Sequence, residues 1–198
     1  MGKRVSMALV LILSGQVSAQ ERGFDPRLAV TLTTMSGKVV EIRGPEIITG
    51  ADADLDYRWG PPTVQANRTG KFVAVHYSGN KAPWWASEVY LVRPDGRVDR
   101  LRNDAVFKVT WTVDGSYLIG FGDNTLTIWN VSGGLRQVAF QDIRAFNYSS
   151  KNEICLNLAW YSPTTGQPSR TTEVHLAVPS LTRIFEKDTD GQQTCEAP

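Results

Sequence analysis

The chain has 198 residues, 41% hydrophobic and 21% charged, with 21 basic against 20 acidic side chains and a formal charge of +1. That length suits one domain with its own core. The even balance of charge supplies neither a basic field for nucleic acid nor a long charged tail.

The N-terminus reads Met1-Gly2-Lys3-Arg4, then an apolar run from Met7 to Leu13, then Val17-Ser18-Ala19. A basic end, a short apolar run and a small-x-small site describe a secretory signal peptide, with cleavage expected after Ala19. The run is far shorter than the roughly 20 residues of a spanning helix. Residues 20–198 are therefore expected to form a single periplasmic or secreted domain with no membrane span. Two cysteines remain, Cys155 and Cys195, and in an exported chain an even count implies a disulfide, with two free thiols as the alternative. No C-x-x-C occurs and the only histidines are His76 and His175, so no zinc site, other metal or cofactor is expected.

Along the rest of the chain a pattern of apolar, any, apolar, then a turn recurs four times. The segments are Val30-Thr31-Leu32 with Ser36-Gly37, Val89-Tyr90-Leu91 with Asp95-Gly96, Leu126-Thr127-Ile128 with Ser132-Gly133, and Val174-His175-Leu176 with Ser180. Alternating apolar residues joined by such turns are hairpin signals. Three of these hairpins follow another candidate strand pair, at 62–77, 107–121 and 143–161. The pattern predicts an N-terminal half unit at 28–43, four-stranded units at 62–101, 105–140 and 143–186, and a tail at 187–198.

The stretch SEVYLVRPDGRVDRL, 87–101, resembles the second half of a TolB-type propeller repeat. The stretch WTVDGSYLIGFGDNTLTIWNV, 111–131, resembles a WD40-type blade, with Trp129-Asn130 where that family has Trp-Asp and without its Gly-His pair. The resemblance implies an all-β fold of antiparallel four-stranded repeats, a small or open β-propeller-like domain; a β-sandwich is the alternative. In ICLNLAW, alternation sends Ile154, Leu156, Leu158 and Trp160 one way and Cys155, Asn157 and Ala159 the other. A disulfide would then pin the tail across the second face of the last unit.

Antiparallel strands gather the short turns at one end and the long connections at the other. The long ones are 78–87, 162–172 and 44–62. Long loops on a rigid scaffold are where binding concentrates. Trp84 and Trp85 lie in the first, outside any strand pattern; Tyr57 and Trp59 lie in the third; Tyr161 stands at the foot of the second. All five are candidate binding residues, whereas Trp111, Trp129 and Trp160 read as core. Asp52, Asp54 and Asp56 lack the glycine and glutamate of a calcium loop and read as a solvated acidic segment. His76 is the one candidate acid–base histidine, His175 reads as an ordinary sheet position, and no nucleophile or phosphate-loop motif occurs. Sequons begin at Asn67, Asn130 and Asn147.

These features point to an exported, non-enzymatic binding module; the TolB-type resemblance implies an envelope or extracellular protein as its partner, in a scaffold, inhibitor or immunity role. Glycan or peptidoglycan binding by tryptophan stacking is the alternative. A hydrolase with carboxylates assembled only in space is the third reading.

Overall fold

The computed structural model describes residues 21–49, 58–81, 84–102, 106–122, 124–140, 142–161, 164–165 and 168–195. The signal-peptide expectation at 1–19, Tyr57 and the Asp52–Asp56 segment lie outside them. The strands are β1 (Glu21–Phe24), β2 (Val30–Thr33), β3 (Val39–Ile42), β4 (Glu46–Thr49), β5 (Arg58–Trp59), β6 (Thr63–Ala66), β7 (Val73–Lys81), β8 (Trp84–Val92) and β9 (Val98–Leu101). They continue as β10 (Lys108–Trp111), β11 (Tyr117–Phe121), β12 (Thr125–Asn130), β13 (Leu135–Ala139), β14 (Asp142–Ser150), β15 (Glu153–Tyr161), β16 (Pro168–Ala177) and β17 (Arg183–Asp188). The described residues contain no α-helix and a single 3-10 turn, Pro26–Leu28.

Two sheets are plain four-stranded meanders, β10-β11-β12-β13 and β14-β15-β16-β17. A third runs β7-β8-β9, with its first strand split: β6 pairs with Val73–His76 and β5 with Gly79–Asn80. The hairpin β2-β3 stands alone in its sheet, and β1 pairs with β4. All pairings are antiparallel.

The repeated turn signal has one physical basis. At Thr34, Asn67, Arg93, Thr112 and Asn130 the backbone N–H closes the hairpin onto the far strand, while the carbonyl accepts from the glycine three residues on. Gly96 takes φ +85 in such a turn, where a side chain would be strained. The last hairpin has no glycine, and Leu181 takes φ +58 in its place.

Successive residues of a strand serve different cores. Val40 and Ile42 pack with Val75, Tyr77 and Val92 between the N-terminal hairpin and the β7-β8-β9 sheet. Ala74, Val89 and Leu91 face the other way, against Val109, Trp111, Leu118 and Trp129 of the next sheet. Ile119, Phe121, Leu126 and Ile128 then face Ile154, Leu156, Leu158, Val174 and Leu176 of the last. A β-sandwich buries one face of each sheet; here the two middle sheets are buried on both. The fold is all-β, of stacked antiparallel sheets in a propeller-like order. The sheets stay open: among the described residues no apolar core joins the last sheet to the N-terminal hairpin.

Hydrogen bonds between neighbouring sheets recur at the short-turn end. Ser36 Oγ donates to Pro94 O (2.6 Å), Arg93 Nη1 to Val131 O (2.6 Å) and Asn67 Nδ2 to Gly115 O (3.0 Å). Trp111 and Trp129 are buried as expected, their indole N–H groups donating to Gln65 O and Arg102 O; Trp160 is only half-buried.

Among the described residues no sheet follows the outer face of the last sheet, and the tail covers it. Cys195 is joined to Cys155 by a disulfide. The Cys195 N–H donates to Asn157 Oδ1 (2.8 Å), and Thr189 N to Thr171 O (2.9 Å). A stack of sheets needs a polar outer surface at its end. Asn157, Thr171, Glu173 and His175 supply it here.

Candidate functional site

Two expectations about the long-connection end change. Residues 78–81 and 84–87 are strand rather than loop: β7 continues through Lys81 and β8 begins at Trp84, so Trp84 and Trp85 belong to a strand. The extension is held because β5 runs alongside it. The Trp59 ring lies against Gly79, where an added Cβ would come within 2.8 Å of it, so the approach requires the bare glycine backbone. Trp59 is thus half-buried and packed on the first core rather than displayed on a loop. The register sets Trp85 opposite Asn80 and Asn80 opposite Arg58, which brings the backbones of Trp59 and Trp85 into one three-stranded ladder. The second long connection shrinks too, since β16 begins at Pro168. Both hairpins therefore project as paired strands, nine and nine residues in β7-β8, nine and ten in β15-β16.

Tyr161 stands at the projecting end of the last sheet, 37% exposed. Its hydroxyl donates to Asp142 Oδ2 (2.5 Å), and the Arg144 guanidinium sits 5.4 Å from its ring while also pairing with Asp142. This is a rigid aromatic group with a cation on its face and an anion at its tip. At the same end an open polar cleft of about 480 Å³ is lined by Ser169, Arg170, Thr171, Asp188, Asp190 and Gly191. Arg170 Nε pairs with Asp188 across it, and Ser169 Oγ donates to Trp160 O (3.1 Å). Tyr161 is two sheets away along the stack from Trp59, Trp84 and Trp85, so the candidate residues fall into two groups.

His76 is not an exposed acid–base group. It lies inside β7, is 3% exposed, and its Nε2 is hydrogen-bonded to Val106 O (3.0 Å). Burial pushes its pKa below the ordinary histidine value, so it stays neutral.

The titratable cluster is at His175 instead. Its Nδ1 meets Glu153 and its Nε2 meets Glu173 Oε1 at 2.6 Å. Burial pulls the imidazole down, but the two carboxylates outweigh it and raise its pKa above the ordinary value. Glu153 is held low by His175 and Ser149, and Glu173 by Thr194 and then His175. Glu173 and His175 lie two residues apart on β16 and so share a face. Glu153 joins them from β15 through strand register.

No protein-family model matches the chain, and no curated protein matches it. Among solved structures it is similar to the β-propeller domain of the trilobed protease from Pyrococcus furiosus, described as having an open velcro topology (12% identity, TM-score 0.45, 65% of this chain and 43% of that one). It is also similar to a eukaryotic initiation factor (10%, TM-score 0.48, 81% and 42%) and to an acylaminoacyl peptidase from Pyrococcus horikoshii (9%, TM-score 0.46, 67% and 25%). The chain spans less than half the length of each. Likenesses of this degree carry nothing about activity, and the fold rests on the sheet order and shared cores described above.

Proposed function

We propose that the chain is an exported, non-enzymatic binding module of the bacterial envelope that engages a protein partner with the projecting-hairpin end of its stack. The observation that carries this reading is the exposed Tyr161–Arg144–Asp142 group beside the open Arg170–Asp188 cleft. An aromatic anchor flanked by both signs of charge on a rigid sheet end suits a protein surface. The TolB-type resemblance of 87–101 supports an envelope setting, and the disulfide is compatible with export. No helix among the described residues is long and apolar enough to cross a membrane. Burial of His76 removes the one histidine that sequence offered for acid–base chemistry.

The test uses the exported chain as bait on envelope extract, beside a Tyr161→Ala/Arg144→Ala variant and a Trp84→Ala/Trp85→Ala variant. A protein retained by the parent and lost from the first variant is the expected result. Co-sedimentation of the parent with peptidoglycan, abolished in the tryptophan variant, would replace this reading with glycan binding. Equal capture by all three forms would overturn it.

A further inference from the structure

The His175 cluster lies against the disulfide. Cys155 stands opposite His175 in the β15-β16 register, and its Sγ is 3.5 Å from His175 Nε2. One ligand atom each from Cys155, Glu173 and His175 falls within a 4.8 Å span. Cys195 Sγ adjoins as the disulfide partner. Around a tetrahedral zinc, with Zn–S about 2.3 Å and Zn–N about 2.0 Å, sulfur and nitrogen sit roughly 3.6 Å apart. The Cys155–His175 spacing already meets that requirement.

We propose that the reduced chain binds one zinc ion through Cys155 Sγ, Cys195 Sγ, His175 Nε2 and Glu173 Oε1, and that forming the disulfide expels it. The neighbouring groups are arranged for this. Glu153 engages Nδ1 of His175 and itself accepts from Ser149 Oγ (2.7 Å), which fixes the ring and leaves Nε2 for the metal. Thr194 Oγ1 donates to Glu173 Oε2 (2.6 Å), leaving Oε1 turned toward Nε2. The Cys195 backbone is anchored on Asn157, so its sulfur stays beside Cys155 when the S–S bond opens. Zinc replaces the proton between Nε2 and Oε1. His175 and Glu173 retain 17% and 19% side-chain exposure, enough for an ion to reach them.

The oxidised chain presents only an imidazole and a carboxylate, because disulfide sulfurs carry no thiolate charge. The exchange balances with an external disulfide as oxidant. The two zinc-bound thiolates give up two electrons and join as the Cys155–Cys195 bond; the reagent disulfide breaks into two thiolates; Zn²⁺ departs. The tail is thereby clasped in both redox states, by a metal when reduced and by a covalent bond when oxidised. Ligands drawn from two strands and the tail have no C-x-x-C spacing, so the sequence expectation of no metal site did not reach this case.

The full chain is reduced with a phosphine under argon and titrated with Zn²⁺ against a chromophoric chelator, with Co²⁺ as a spectroscopic probe. One ion per chain is expected, with thiolate-to-cobalt charge transfer and no binding to the oxidised form. Oxidised glutathione should release one Zn²⁺ for each pair of thiols consumed. The positioning variant Glu153→Gln should weaken binding by about 10-fold, and His175→Gln, which removes a ligand, by more than that. If the metal-free reduced chain loses its β-sheet circular dichroism, one equivalent of zinc should restore it. Equal affinity of parent and His175→Gln, absence of the thiolate band, or zinc failing to restore an unfolded chain would each overturn the proposal.

Discussion

Replacing Gly120 with alanine should destabilise the protein by about 2 kcal/mol, although alanine is ordinarily the better strand residue. Gly120 is not in the left-handed region, so the backbone accepts the change, and relief of glycine's flexibility returns roughly 0.5–1 kcal/mol. The added Cβ, however, would stand 2.7 Å from Trp129 Cη2, 2.8 Å from Cζ3 and 3.0 Å from Val106 Cγ1. The Trp129 ring has no room to yield: the residue is 4% exposed, and its N–H is bound to Arg102 O at 2.9 Å. Overpacking a dense core costs about 1–3 kcal/mol, and dragging the indole off its acceptor adds about 1 kcal/mol. Urea denaturation followed by tryptophan fluorescence reads the difference as a lower midpoint at unchanged slope. The double variant Gly120→Ala/Trp129→Leu should cost less than the sum of the two single changes, since the smaller side chain removes the clash. Gly120→Ala within about 0.5 kcal/mol of the parent, or strict additivity in the cycle, would refute the account of a tryptophan seated on a glycine.

With a chelator present, Cys155→Ser/Cys195→Ser should lower stability by about 4 kcal/mol on the chain-entropy account, given a closed loop of sequence separation 40; equal denaturation midpoints would contradict it. Asn67→Ala should cost about 2 kcal/mol, because this buried amide accepts from Phe72 N and Thr69 Oγ1 and donates to Gly115 O. The two histidines should act oppositely on stability. His76 has a lowered pKa, so the unfolded state binds its proton first and stability falls as pH drops through about 6.5. His175 has a raised pKa, so its contribution is full below about 6.5 and is lost as pH rises through the higher folded value. Thermal melts across pH 5 to 8 should therefore diverge from the parent at the acid end in opposite directions, His76→Gln gaining on the parent as pH falls and His175→Gln falling behind it; parallel curves would discount both environments.

Much of the fold was legible because hairpin chemistry is local. Each Ser-Gly, Asp-Gly or Thr-Gly turn fixes its register within a few residues, and the doubly buried strands read as apolar runs. The split first strand was not legible. Arg58–Trp59 is too short to register as a strand, and its pairing depends on Gly79, distant in sequence. That same pairing turned 78–81 and 84–87 from loop to strand, since Gly79 and Asn80 read as loop only where no partner strand lies alongside. His76 misled because a histidine at the edge of an apolar run looks exposed until the Val106 carbonyl folds over it. The Glu153–His175–Glu173 group escaped notice because register, not spacing, assembles it.

Each of the three apolar cores belongs jointly to two neighbouring sheets, and among the described residues no core closes the ring. Cooperativity in such a molecule runs along a line. The two middle sheets hold a core on each side, while the N-terminal hairpin and the last sheet hold one apiece, so opening should begin at the extremities and travel inward. Amide hydrogen exchange would then follow position in the row: slowest in β7, β8, β11 and β12, faster in β2 and β3. In β14–β17 it would depend on whether the tail is clasped.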